Sequence, residues 1–108
     1  MGGEEVEKIA RVVKKHLSDA TIILFGSRAR GDHLKHSDID MIIISKKFEG
    51  VKFTDRASLV LKILDREEAL PKVGLDILCY TPEEAERKKK EISIVREALR
   101  YGLTLSPP

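Results

Sequence analysis

Residues 21–44 read TIILFGSRARGDHLKHSDIDMIII, two apolar runs joined by a charged connection from Gly26 to Asp40. The runs are rich in β-branched residues and show no polar alternation, which predicts strands buried on both faces. The first ends in a Gly-Ser turn followed by Arg28 and Arg30. The second opens on Asp38 and Asp40. Two core strands therefore carry charge where they meet the connection, and the rest of the chain has to explain that charge.

Outward from this segment the elements alternate. Upstream, Val6, Ile9, Ala10, Val13 and Leu17 keep helical spacing. Ser27 can cap a short helix beginning near Arg28, with Gly31-Asp32 as its closing turn. The second strand is expected from near Ser37 to Ile44. Downstream, Ala57, Val60, Leu61 and Leu64 place a helix between Thr54 and Leu70, stopped by Pro71. VGLDILCY then reads as a third strand with Asp76 in its middle. Thr81-Pro82-Glu83-Glu84 is a capping-box helix start, and Gly102 is the matching stop, followed by a short apolar tail, Leu103 to Leu105. The order α-β-α-β-α-β-α predicts an α/β layered fold with central strands and covering helices. No repeat or linker interrupts it, so residues 1–108 read as a single domain.

Composition narrows the possible functions. Hydrophobic residues make up 42% and charged residues 35%, with a net charge of +2. This near balance creates no global demand for nucleic acid or membrane. One cysteine, Cys79, excludes an internal disulfide and is expected to pack in the core. No apolar run approaches a membrane span, and the N-terminus lacks the pattern of a signal peptide, so a cytoplasmic protein is expected. Val6 stands where a myristoylation signal needs Ser or Thr.

Asp38 and Asp40 are two apart, so on a strand they leave the same face about 7 Å apart. Like charges at that spacing need compensation if they are buried. A hard divalent cation such as Mg²⁺ takes oxygen ligands and leaves room for substrate phosphates, which makes the Asp-x-Asp a candidate metal clamp. A neighbouring strand could bring Asp76 beside the pair. Each acid also has a plainer reading, Asp-x-Asp as a solvated turn or helix cap and Asp76 as one half of an ion pair. Gly26 permits close approach of backbone to a ligand, and Ser27 offers a hydroxyl suited to phosphate. The spacing of Gly26 and Gly31 suggests a P-loop, but Asp32 and His33 stand where Lys and Ser or Thr are required. His33 and His36 are expected to be solvated, because Mg²⁺ chemistry does not call for imidazole. Lys88 to Lys90 are read as the outer face of the last helix.

Taken together, LFGSRARGDHLKHSDIDMIII resembles the signature of the minimal nucleotidyltransferases of the DNA polymerase β-like superfamily: Gly-Ser, the ten residues 28 to 37, then Asp-x-Asp. Asp76 in GLDILCY looks like that family's third carboxylate. The resemblance implies a small mixed sheet flanked by helices and metal-dependent transfer of a nucleoside monophosphate from an NTP to a hydroxyl. Gly26 and Ser27 would hold the β- and γ-phosphates, with Arg28 and Arg30 assigned to the same phosphates. Asp38 and Asp40 would bind Mg²⁺, and Asp76 would complete a second metal site and help activate the acceptor.

At 108 residues, no second, acceptor-binding domain is expected. The chain is similar to the antitoxin half of two-gene systems in which a nucleotidyltransferase adds AMP from ATP to a tyrosine of a HEPN-domain toxin. That is the first expectation for the partner. A non-catalytic module that neutralises such a partner, and transfer to a small molecule or RNA end, stay open as alternatives. So do homo-oligomerisation and the role of the tail.

Overall fold

A computed structural model describes residues 2–26, 38–91 and 94–106. The short helix expected after Ser27 lies outside them. Helix α1, Gly2–His16, has Glu4 and Glu5 in its first turn and Lys14, Lys15 and His16 in its last, each placed to favour the helix dipole. It buries Val6, Ile9, Val12 and Val13. Strands β1, Thr21–Phe25, and β2, Ile39–Ile44, follow. A 3₁₀ turn at Lys46–Phe48 leads to α2, Phe53–Arg66, and then to β3, Leu75–Tyr80. Helices α3, Pro82–Lys89, and α4, Ile94–Tyr101, precede β4, Leu103–Ser106.

The sheet is mixed, in the order β3-β2-β1-β4. β1 is antiparallel to both β2 and β4, whereas β2 and β3 run parallel across the α2 crossover. The period of two assigns each face. Ile22, Leu24, Met41, Ile43 and Cys79 pack with α1 and α2. Ile23, Ile42 and Tyr80 pack with Ala85 of α3 and Ala98 of α4. Both apolar runs of the opening segment are thus buried on two sides, as their continuous apolarity predicts.

Three features depart from the expected order. The segment after Thr81 forms two helices, with α3 ending at Lys89. Within α3 only Ala85 is buried, so little holds the ERKKKE run in one rod. The apolar tail is a fourth strand, pairing Leu103 with Leu24 and Thr104 with Ile23. Gly102 stops α4 as expected. A Cβ there would meet the Ala98 carbonyl and the Ile23 methyl, so the chain can turn into β4 only with no side chain at this position.

The third departure is the end of α2, at Arg66 rather than at Pro71. Glu68 adopts φ 54°, the Ala69 amide donates to Leu64 O at 2.8 Å and the Glu68 amide to Asp65 O at 3.1 Å. This is the Schellman closure, in which glycine normally occupies the left-handed position. Glu68→Gly is therefore expected to stabilise the fold by about 1 kcal/mol, measured as a higher midpoint in urea unfolding. An unchanged or lower midpoint would mean that the strain is relieved elsewhere.

Candidate active site

The acids gather where β2 and β3 begin and β1 ends. Parallel pairing sets Asp40 directly across from Asp76, on strands about 4.8 Å apart, and antiparallel pairing sets Phe25 opposite Asp40. Asp40 and Asp76 share the even-numbered face with Ile42 and Leu78, so both carboxylates rise from the α3/α4 side of the sheet. Asp38 lies one residue before β2, exposed, where the Ile39 amide donates to Gly74 O at 2.9 Å.

Two glycines make room for these side chains. A Cβ at Gly26, which has φ 74°, would stand 2.5 Å from Asp40 Oδ2. A Cβ at Gly74 would stand 2.6 Å from Asp38 Oδ1. The first glycine carries the signature turn. The second has no motif around it, and only the parallel register of β3 reveals its role.

Burial raises the pKa of Asp40, and the hydrogen bond to Asp76 together with the charges of Asp76 and Asp38 raises it further. Two neighbouring acids thus act on one half-buried carboxyl. The expectation that all three are embedded in apolar strands is corrected by the structure. Asp38 and Asp76 are exposed, because one precedes its strand and the other sits at the open sheet margin. Among the described residues no three carboxylate, imidazole or thiol groups already stand in a metal-holding arrangement. The donor chemistry still fits Mg²⁺, which commonly keeps several waters and takes only one or two carboxylates plus substrate phosphates. A cation between Asp40 and Asp76 would also relieve the like-charge contact that raises the Asp40 pKa.

Ser27, Arg28 and Arg30 lie outside the described residues, as do His33 and His36. Of the residues expected to hold phosphate, Gly26 alone lies within the described residues. Cys79 is buried, and burial pushes its thiol up to about 12, which leaves it inert. Lys88 and Lys89 pair with Glu91 and Glu86 on the surface of α3. Two cavities lie away from the acids. One is lined by Phe53, Tyr80 and Glu84 at the far end of β3, and one lies between α1 and β4. Of the carboxylates, Asp38 and Asp76 are exposed and Asp40 is half-buried. Among the described residues no helix is long and apolar enough to cross a membrane.

The sequence model of the nucleotidyltransferase domain matches residues 6–101. The chain belongs to the nucleotidyltransferase domain family. It is 28% identical over 105 residues to a Methanocaldococcus jannaschii protein named "Putative protein adenylyltransferase", a match covering 92% of this chain and 97% of that protein. The fold is similar to that of a crystal structure described as a "putative nucleotidyltransferase" from Sulfolobus solfataricus. That similarity has a TM-score of 0.66 at 21% identity and covers 96% of this chain and 78% of the other. It is also similar to a chain in a crystal structure of a toxin-antitoxin with AMP-PNP, with a TM-score of 0.59 at 17% identity, covering 94% and 72%.

Proposed function

We propose that this nucleotidyltransferase moves AMP from ATP to a hydroxyl of a partner protein, a tyrosine of a HEPN-domain toxin, and so acts as an antitoxin. The observation that carries the reading is the register that sets Asp40 beside Asp76, with Gly26 at the end of the neighbouring strand. In this reading Gly26 and Ser27 receive the β- and γ-phosphates, and Arg28 and Arg30 neutralise them. Asp38 and Asp40 hold Mg²⁺, and Asp76 completes a second metal position. When bound there, divalent cations neutralise phosphate charge and lower the pKa of the acceptor hydroxyl.

The chain's own residues set the geometry. Gly26 lets backbone come close to the triphosphate because nothing projects from it toward Asp40. Asp76 sits at the exposed margin, where it can accept the acceptor's proton as the oxygen attacks the α-phosphorus and pyrophosphate leaves. The exposure of Asp38 and Asp76 suits an acceptor carried on another macromolecule. The relative's name and the toxin-antitoxin neighbour support a protein acceptor of this kind.

A second reading, neutralisation by binding alone, draws on one observation: the described acids are not pre-assembled into a three-ligand set. One experiment separates the two. The protein is incubated with α-labelled ATP, Mg²⁺ and the protein encoded beside it. Label is expected on a partner tyrosine, and Asp38→Ala should abolish it. Equal absence of label with wild type and Asp38→Ala would overturn the catalytic reading. Continued partner inhibition by the triple variant D38A/D40A/D76A would establish binding alone.

A further inference from the structure

The fourth strand leaves a surface that the proposed chemistry does not use. β4 is an edge strand, and among the described residues it pairs on one side only, with β1. Its sequence, LTLS, carries no charge, and natural edges usually carry one to discourage pairing. Leu103 is 53% exposed and Tyr101, just before it, 74%. Pairing with Leu24 places Leu103 on the α1 face of the sheet. The register slips between Ile22 and Ile23, so Leu105 is the extra residue of a bulge, and it packs toward α1. Between β4 and α1 runs a groove of about 440 Å³ lined by Leu103, Thr104 and Leu105 on one side and Glu7, Arg11 and Lys14 on the other.

The groove is self-complementary. Glu7 and Arg11 are one helical turn apart on the same face of α1, with opposite charges. A two-fold axis perpendicular to the sheet and passing beside β4 would bring two copies edge to edge, antiparallel, with both α1 helices on the same side. Glu7 of each copy would then face Arg11 of the other, as an isologous contact requires. Leu103 and Leu105 of both copies would line one continuous apolar seam beneath the paired charges. Pro107 and Pro108 follow β4 directly, and proline cannot donate to a ladder, so the new pairing stays short.

We infer that this face is the contact between two copies of the chain, which join through β4 into one eight-stranded sheet with the α1 helices bracing the seam. Asp40 and Asp76 of each copy lie two and three strands inward from the seam, on β2 and β3, so dimerisation leaves both sites clear of it.

Sedimentation velocity of the full chain over a concentration series tests this. Wild type should pass from the mass of one chain to twice that mass. Leu103→Lys, at an exposed position, should remain at one chain. Glu7→Arg and Arg11→Glu should each weaken association about tenfold, and the double swap E7R/R11E should restore it. If Leu103→Lys melts early, hydrogen exchange on wild type decides, because β4 amides should gain protection as concentration rises. A wild type that stays a single chain throughout would overturn the inference. So would a dimer indifferent to Leu103→Lys and to the charge swap, or one whose β4 amides gain no protection.

Discussion

Asp40→Asn is expected to lower AMP transfer by about a thousandfold or more, while raising the midpoint of thermal unfolding by about 5 °C. The two effects share one cause. Asp40 is half-buried, and its carboxyl is pushed toward protonation by burial and then by Asp76 and Asp38. Without a cation that crowding destabilises the fold, by about 1 kcal/mol for charges of this kind. The asparagine amide can still donate to Asp76 but brings no charge, so the fold gains what catalysis loses. Label-transfer rates and melting curves on the same preparation check both halves. Retained transfer would remove Asp40 from the site. A lower midpoint would mean that Asp40 stabilises the sheet and that like-charge crowding is not the dominant effect.

The second large effect lies away from the acids. Arg56 is buried on α2, and its guanidinium donates to both carboxylate oxygens of Glu84, at 2.5 and 3.3 Å, to Cys79 O at 3.1 Å and to Val51 O at 3.0 Å. It also lies 5.9 Å from the centre of the Phe48 ring and 5.7 Å from that of Phe53. Glu84 closes the capping box of α3 as well, accepting from the Thr81 amide at 2.8 Å. One ion pair therefore ties α2, the end of β3 and the start of α3 together. Glu84→Ala would strand a buried guanidinium and is expected to cost about 3–5 kcal/mol in urea unfolding.

The pH dependence has a definite sign. The hydrogen bond from Arg56 does most to hold Glu84 down, to about 2 from an ordinary 4.5. Its contribution is complete above about 4.5, where the carboxylate is ionised in both folded and unfolded chains. It is lost as pH falls from there toward 2, because the unfolded chain takes up the proton first. Stability of Glu84→Gln should fall less steeply over that window than wild type. Parallel slopes would assign acid sensitivity to other carboxylates.

Much of this was legible in the sequence because apolar continuity and turn chemistry act locally. TIILF and MIII read as strands buried on both faces, and Thr81-Pro82-Glu83-Glu84 read as a capping box; both are present. The missed features depend on distant partners. The strand at Leu103–Ser106 exists because β1 offers it an edge, which four residues cannot announce. Gly74 matters only because the parallel register carries it to Asp38. Glu68 closes a helix in the conformation of a glycine, so Pro71, the conspicuous breaker, was the wrong stop. Arg56 stands one and two turns before Val60 and Leu64 on the same buried helix face, but a charged residue carries no apolar signal, and it turns inward because Glu84 and two carbonyls wait there. Of the candidate site, Asp40 and Asp76 come together as their positions in successive strands suggested, whereas Asp38 sits just outside its strand.

That the acids and the Gly26 turn form one cation-dependent nucleotide site is tested most directly by paramagnetic broadening. Mn²⁺, added in substoichiometric amounts with a non-hydrolysable ATP analogue to isotopically labelled protein, should first broaden the amides of Gly26, Asp40 and Asp76, and Asp40→Asn should suppress the effect. Broadening centred on the acidic residues of α3, or none at any site, would contradict the assignment.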